Sequence, residues 1–157
     1  MRLNPQKCTF GVTAGKILWF LITQRGIEVD PSKIKAILEM PPPRTEKEVR
    51  DFLGKVQFIR RFIAKLTLTC EPLFGLLKIG TKFQWDGRCQ TAFDQIKQYL
   101  QNPLVLSPPE PGKPLILYLS VTETTMGSML AQESENKMEK AVYYLSKKML
   151  DYETRYT

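Results

Sequence analysis

Histidine is absent from all 157 residues, and that one gap removes several chemistries at once. A serine or cysteine nucleophile would lack its usual imidazole base, and the three cysteines have no histidine with which to complete a zinc site. No two aspartates are adjacent anywhere. Nor is there a glycine-rich phosphate loop with its lysine. Long apolar runs are also lacking: residues 17–22 form the longest, far too short for a bilayer. The N-terminus has neither the apolar stretch nor the small-residue cleavage site of a signal peptide. The expectation is an intracellular protein, cytoplasm and nucleus being equivalent here, with no membrane contact. Cys8, Cys70 and Cys89 then read as reduced, mostly structural thiols.

What is present suffices for a fold. A hydrophobic content of 43% in a chain of this length supports one ordinary domain or two small ones. The formal charge of +7 favours a polyanionic partner, because each cation near a phosphate releases condensed counterions, although a merely solvated basic surface has the same composition.

Residues 7–10 and 16–23 read as two strands of a hairpin joined by the glycine-containing turn at 11–15, and 27–29 as a third short strand. Asp30-Pro31 is a helix start, followed by the apolar positions Ile34, Ile37 and Leu38. Pro41-Pro42-Pro43 gives a stiff spacer. Thr45 and Glu48 form a capping box, and Val49, Phe52, Leu53, Val56, Ile59, Phe62 and Ile63 recur at helical spacing, which predicts one long helix. A shorter helix follows Pro72, and Asp86 caps another whose stripe is Cys89, Ala92, Phe93, Ile96 and Leu100. Residues 102–114 hold five of the eleven prolines and read as a linker. Beyond it, 115–121, 126–133 and 141–146 read as three strands.

Eight short pieces in one order carry a more specific message: Lys7-Cys8-Thr9-Phe10, Gly26-Ile27, Pro41-Pro42-Pro43, Phe52-Leu53-Gly54, Arg60-Arg61-Phe62-Ile63, Pro72-Leu73, Phe83-Gln84-Trp85 and Pro103-Leu104-Val105-Leu106. This series resembles the pol polyprotein of gypsy-class long-terminal-repeat retrotransposons, from the end of the reverse transcriptase into the RNase H domain. The resemblance implies an α+β fold: the end of a polymerase palm with a primer-grip-like hairpin (1–29), a helical thumb and connection region (30–101), a Pro-rich linker (102–114) and the first three strands of an RNase H-like sheet (115–157). The activities it implies for the family are RNA-directed DNA polymerase and RNA–DNA hybrid ribonuclease, both using Mg²⁺.

The same resemblance places the polymerase aspartates upstream of Met1 and the later RNase H carboxylates beyond Thr157. The first RNase H aspartate would align with Ser120, whose neutral hydroxyl cannot supply the anionic oxygen that a hard dication requires. Glu123 is close in sequence but corresponds to an outer loop position. No metal site, bound cofactor or catalytic residue is therefore expected in this chain. Lys55, Arg60, Arg61 and Lys65 read as basic positions of the thumb-like helix that would track a nucleic-acid duplex, with a solvated face as the alternative. Trp19 stands where the family's primer-contacting turn has glycine. It reads either as a stacking platform for a base or, better, as an ordinary strand aromatic. The expected reading is a catalytically inactive fragment. The alternatives are a non-specific nucleic-acid-binding module, one part of an active multi-chain assembly, and a product without function. With the helices of an RNase H fold not included, the strand at 115–121 is expected to keep an edge open to association.

Overall fold

Helix starts are where this sequence is most explicit, because the first turn of a helix leaves amides that a side-chain oxygen can accept. In the computed structural model, which describes residues 4, 8, 10–78, 80, 82–102 and 105–155, three helices begin this way. The Asp30 carboxylate accepts the Ser32 amide at 3.0 Å and opens α1 (Pro31–Leu38). Thr45 Oγ1 accepts the Glu48 amide at 3.3 Å and opens α2 (Glu46–Phe58). The capping box is shifted by one residue, since Glu48 accepts the Arg44 amide at 2.6 Å rather than that of Thr45. Asp86 accepts the Cys89 amide at 2.9 Å and opens α5 (Gly87–Leu100). The expected stripe of α5 is the buried one: Cys89, Ala92, Phe93, Ile96 and Leu100.

The long helix stops earlier than its apolar periodicity predicts. After Phe58 the chain tightens into a 3₁₀ turn, Arg60–Phe62, and Lys65 adopts φ +54° before α3 (Leu66–Thr69) and α4 (Glu71–Gly75). Ile59, Phe62 and Ile63 are still buried. The backbone is satisfied from elsewhere: the Tyr99 hydroxyl on α5 donates to the Phe62 carbonyl at 3.0 Å and accepts the Ala64 amide at 3.5 Å. A tertiary partner thus replaces the helical one, and α3 is an element that the periodicity did not single out.

The first sheet is antiparallel in the order β1 (Gly15–Ile17), β2 (Phe20–Thr23), β3 (Gly26–Val29), β4 (Val105–Leu106). The span 16–23, read as one strand, is two strands around a tight turn at Leu18-Trp19, with Leu18 at φ +55°. The turn is held by the Trp19 carbonyl, which accepts the Asp30 amide at 2.9 Å. Of the expected strand at residues 7–10, residues 7 and 9 lie outside the described residues, and Cys8 and Phe10 are not in a strand; the hairpin is formed by β1 and β2 instead.

Residues 102–114 were expected to be a linker, and here the structure corrects the sequence reading. Val105–Leu106 pairs with β3, and the Ser107 amide donates to the Ala141 carbonyl of the second sheet at 2.9 Å. The buried Gln132 side chain accepts the Glu110 amide at 2.7 Å and donates to the Glu110 and Lys113 carbonyls at 3.1 and 3.0 Å. Proline removes amide donors, but these pairings of the Val105–Leu106, Ser107, Glu110 and Lys113 backbone fix the segment to both sheets.

The second sheet is antiparallel in the order β5 (Ile116–Val121), β6 (Thr125–Glu133), β7 (Glu139–Lys148), with a register irregularity at Leu130-Ala131. All three expected strands form. β7 rests on the helical core through Ala141 and Tyr144, and Ala131 is fully buried. β5 has one neighbour among the described residues, and its residues Leu117, Leu119 and Val121 are 63%, 61% and 54% exposed. The architecture is α+β, as expected, and no helix among the described residues is long and apolar enough to cross a membrane.

The capping carboxylates make an acid prediction. The Lys16 ammonium, 2.5 Å from Asp30, holds that carboxyl down to about 2 from the usual 3.8, helped by the Ser32 amide and opposed by burial. The Cys89 amide, with Arg88 beside it, likewise brings Asp86 down to about 2. Folded values below unfolded ones mean stabilisation that is fully present above about pH 4 and lost as the pH falls towards about 2. Urea midpoints measured from pH 5 to 2 should fall for the native chain and fall less for Asp30→Asn/Asp86→Asn, in which asparagine still caps. Parallel decline of both proteins would remove these two groups as the cause.

Candidate nucleic-acid interface

The five residues singled out for nucleic-acid contact do not form one stripe. The early end of α2 leaves only Lys55 on that helix, where its ammonium lies 3.5 Å from the Met40 sulfur. Arg61, on the 3₁₀ turn, places its guanidinium over the Phe20 ring, 5.2 Å from the centroid. Lys65, in its left-handed conformation, turns towards β5 and β6. Trp19 is engaged within the protein: its ring stacks on Phe58 at 4.6 Å with only 4° between planes, and the Lys33 ammonium lies 4.3 Å from its centroid. Such a cation–π and stacking pair anchors a turn and takes up the ring surface a base would need.

Arg60 goes elsewhere. It lines a groove of about 410 Å³ between the α3–α4 segment and β7, together with Lys78, Lys147 and Lys148. Thr67 and Ser146 join the two walls, the Thr67 amide donating to Ser146 Oγ at 3.0 Å. Glu71 is the one carboxylate lining the groove. Lys147 is paired with Glu153 outside it, whereas Arg60, Lys78 and Lys148 have no ion-pair partner among the described residues. Sequence reasoning missed Lys78, Lys147 and Lys148. The adjacent pair Lys147-Lys148 was visible as a signal, but its approach to Arg60, some ninety positions away along the chain, is a product of packing.

Ser120 sits on β5 opposite Gly127 and is exposed. It lines a cavity of about 240 Å³ with Lys65, Tyr118, Met129 and Tyr144 and with no carboxylate. The Tyr118 hydroxyl points to Glu139, donating to its two carboxylate oxygens at 2.8 Å. Glu123 lies in the exposed turn between β5 and β6. Among the described residues no three His, Cys, Asp or Glu side chains gather where an ion could be held. A hydroxyl beside an ammonium does not fit a Mg²⁺ pair, which needs anionic oxygens.

Comparisons with known proteins bear on the family and the fold. The family described as "RNase H-like domain found in reverse transcriptase" matches residues 85–157. The Tf2-3 and Tf2-4 transposon polyproteins of Schizosaccharomyces pombe are each 30% identical to this chain over 155 residues, 99% of the chain. The chain spans 12% of the length of these relatives. Among solved structures, the foamy viral protease-reverse transcriptase in complex with dsDNA superposes with a TM-score of 0.71 at 23% identity, covering 93% of this chain and 30% of that one. The same enzyme in complex with RNA/DNA hybrid gives 0.69 at 23% identity, covering 92% and 20%. Residues 85–157 thus form an RNase H-like domain of the kind found in reverse transcriptases, and over 99% of its length the chain is homologous to a segment of retrotransposon polyproteins.

Proposed function

We propose that this segment binds the sugar-phosphate backbone of a nucleic-acid duplex without reading its sequence, and that it carries no hydrolytic centre of its own. The observation that carries the reading is the concentration of unpaired cations at the groove containing Arg60, on a chain of net charge +7. Lys55, Arg61 and Lys65 add to the surrounding field, while Trp19 serves as a turn anchor. Similar proteins support the ligand class: the structural relatives were solved with dsDNA and with RNA/DNA hybrid.

On this reading residues 1–29 correspond to the end of a polymerase palm, 30–101 to a thumb and connection region, 102–114 to the connecting segment and 115–157 to the start of an RNase H-like domain. The three unpaired thiols suit an intracellular setting. The β5 edge, uncharged from 115 to 121, is a second surface for association, since nothing there repels an added strand.

One assay tests both halves of the proposal. A labelled RNA strand in a hybrid duplex of about 20 base pairs should be bound with an affinity that falls steeply and linearly on a log–log plot against salt, about 0.9 in slope per phosphate contact, and equally for unrelated sequences. The strand should stay intact in Mg²⁺. Absence of binding, or affinity indifferent to salt, would sink the binding half. Chelator-sensitive cleavage that disappears in Glu123→Ala would sink the other.

A further inference from the structure

The groove at Arg60 is built from two separate parts of the fold. Arg60 comes from the turn after α2, and Lys78 from the segment following α4. Lys147 and Lys148 come from the last residues of β7. The two parts meet at the floor through the Thr67 amide and Ser146 Oγ, and Leu66 is buried beneath. Four cations face one carboxylate, Glu71, so the groove has an excess of three positive charges.

Like charges brought together cost free energy unless an anion joins them or solvent screens them. Several cations elsewhere in this protein are matched: Lys16 by Asp30, Arg25 by Glu28 and Lys113 by Glu110. Here only Lys147 is, by Glu153, whose other carboxylate oxygen accepts the Leu150 amide at 2.9 Å. The remaining wall is suited to an oxyanion. Gln57 and the hydroxyls of Thr67, Thr125 and Ser146 can donate hydrogen bonds without adding negative charge, and Phe74, 42% exposed, gives one side an apolar face. Arginine can hold two oxygens of one phosphate while the lysines act as point charges.

We infer that this groove is a composite phosphate cradle, in which Arg60 and Lys78 from the helical part and Lys148 from the sheet grip the backbone of the same nucleic-acid strand. Because the site exists only while β7 stays docked on α3, binding also clamps the sheet to the helical part. The inference rests on the duplex binding proposed above and names the side chains that perform it, two of which lie outside the expected set. A ligand that binds only the docked arrangement stabilises it by mass action.

The test uses the whole chain and a 20-base-pair RNA–DNA hybrid. Arg60→Gln/Lys78→Gln/Lys148→Gln should lower affinity by about tenfold or more at low salt and flatten the salt slope by about 2 to 3 units, one for each lost phosphate contact. The comparison triple Lys55→Gln/Arg61→Gln/Lys65→Gln, which removes the same charge, should lose clearly less. Glu71→Gln should bind more tightly than the native chain, a gain that no loss of folding can imitate. Saturating hybrid should slow amide exchange in β7 and α3 of the native chain but not of the groove triple. A native chain that ignores the hybrid overturns the duplex reading itself. A native chain that binds, with the comparison triple losing as much as the groove triple or with Glu71→Gln unchanged, overturns the cradle and leaves duplex binding standing.

Discussion

Phe93→Ala should cost the folded chain about 3 to 5 kcal/mol, the range for emptying an aromatic site in a closed core. The ring is 1% exposed, lies 4.8 Å from Phe52 and meets the edge of Trp85 at 6.0 Å. The Lys97 ammonium sits over its face at 4.7 Å while donating to the Met40 carbonyl at 2.7 Å. Truncation therefore removes contacts to α2 and to the segment before α5, and the stem of Lys97 is left over a void. Neighbours cannot collapse into the space, because Val49, Phe52, Val56 and Ile96 are themselves at most 1% exposed and locked on two helices. A domain of ordinary stability, about 5 to 15 kcal/mol, would lose a large share of it. Urea denaturation checks the value, with Phe10→Ala as reference: that ring is 87% exposed and its removal should change stability by less than about 0.5 kcal/mol. Equal midpoint shifts in the two variants would mean that the core is not centred on α5.

Gly26→Ala should be nearly as damaging, for a reason seated in the backbone. Gly26 has φ +127°, a region that L side chains rarely enter, and a β-carbon there would lie 2.1 Å from the Leu106 carbonyl oxygen. The obstacle is main chain in β4, so no side-chain rotation relieves it. Either β3 and β4 separate, which removes the pairing of Ile27 with Leu106, or Gly26 leaves its conformation and breaks the β2–β3 turn. A loss of about 3 kcal/mol or more is expected, as for other substitutions that force an incompatible backbone. Gly112→Ala separates the two contributions, since that glycine has φ +82° but open space around it. It should cost only the left-handed penalty, about 1 to 2 kcal/mol. If thermal melts place both variants within experimental error of each other, the close approach of β4 to Gly26 is not a constraint in solution.

Local signals settled what local physics controls. The caps at Asp30, Thr45 and Asp86, the buried stripe of α5 and the alternation of the last three strands all depend on interactions within a few residues, and each was legible as a pattern of residue types. The order of eight short pieces pointed to the pol family. Tertiary structure decided the rest wherever a distant partner outbid the local one. Tyr99, thirty-seven residues from Phe62, takes the carbonyl that a longer helix would have used and so scatters Lys55, Arg61 and Lys65 over different surfaces. Gln132 and β3 capture a proline-rich span that composition reads as free chain. Arg60, Lys78 and Lys148 share a groove only because β7 docks on the turn after α2. Charge clusters of that kind are set by packing in three dimensions, and periodicity along one helix cannot register them.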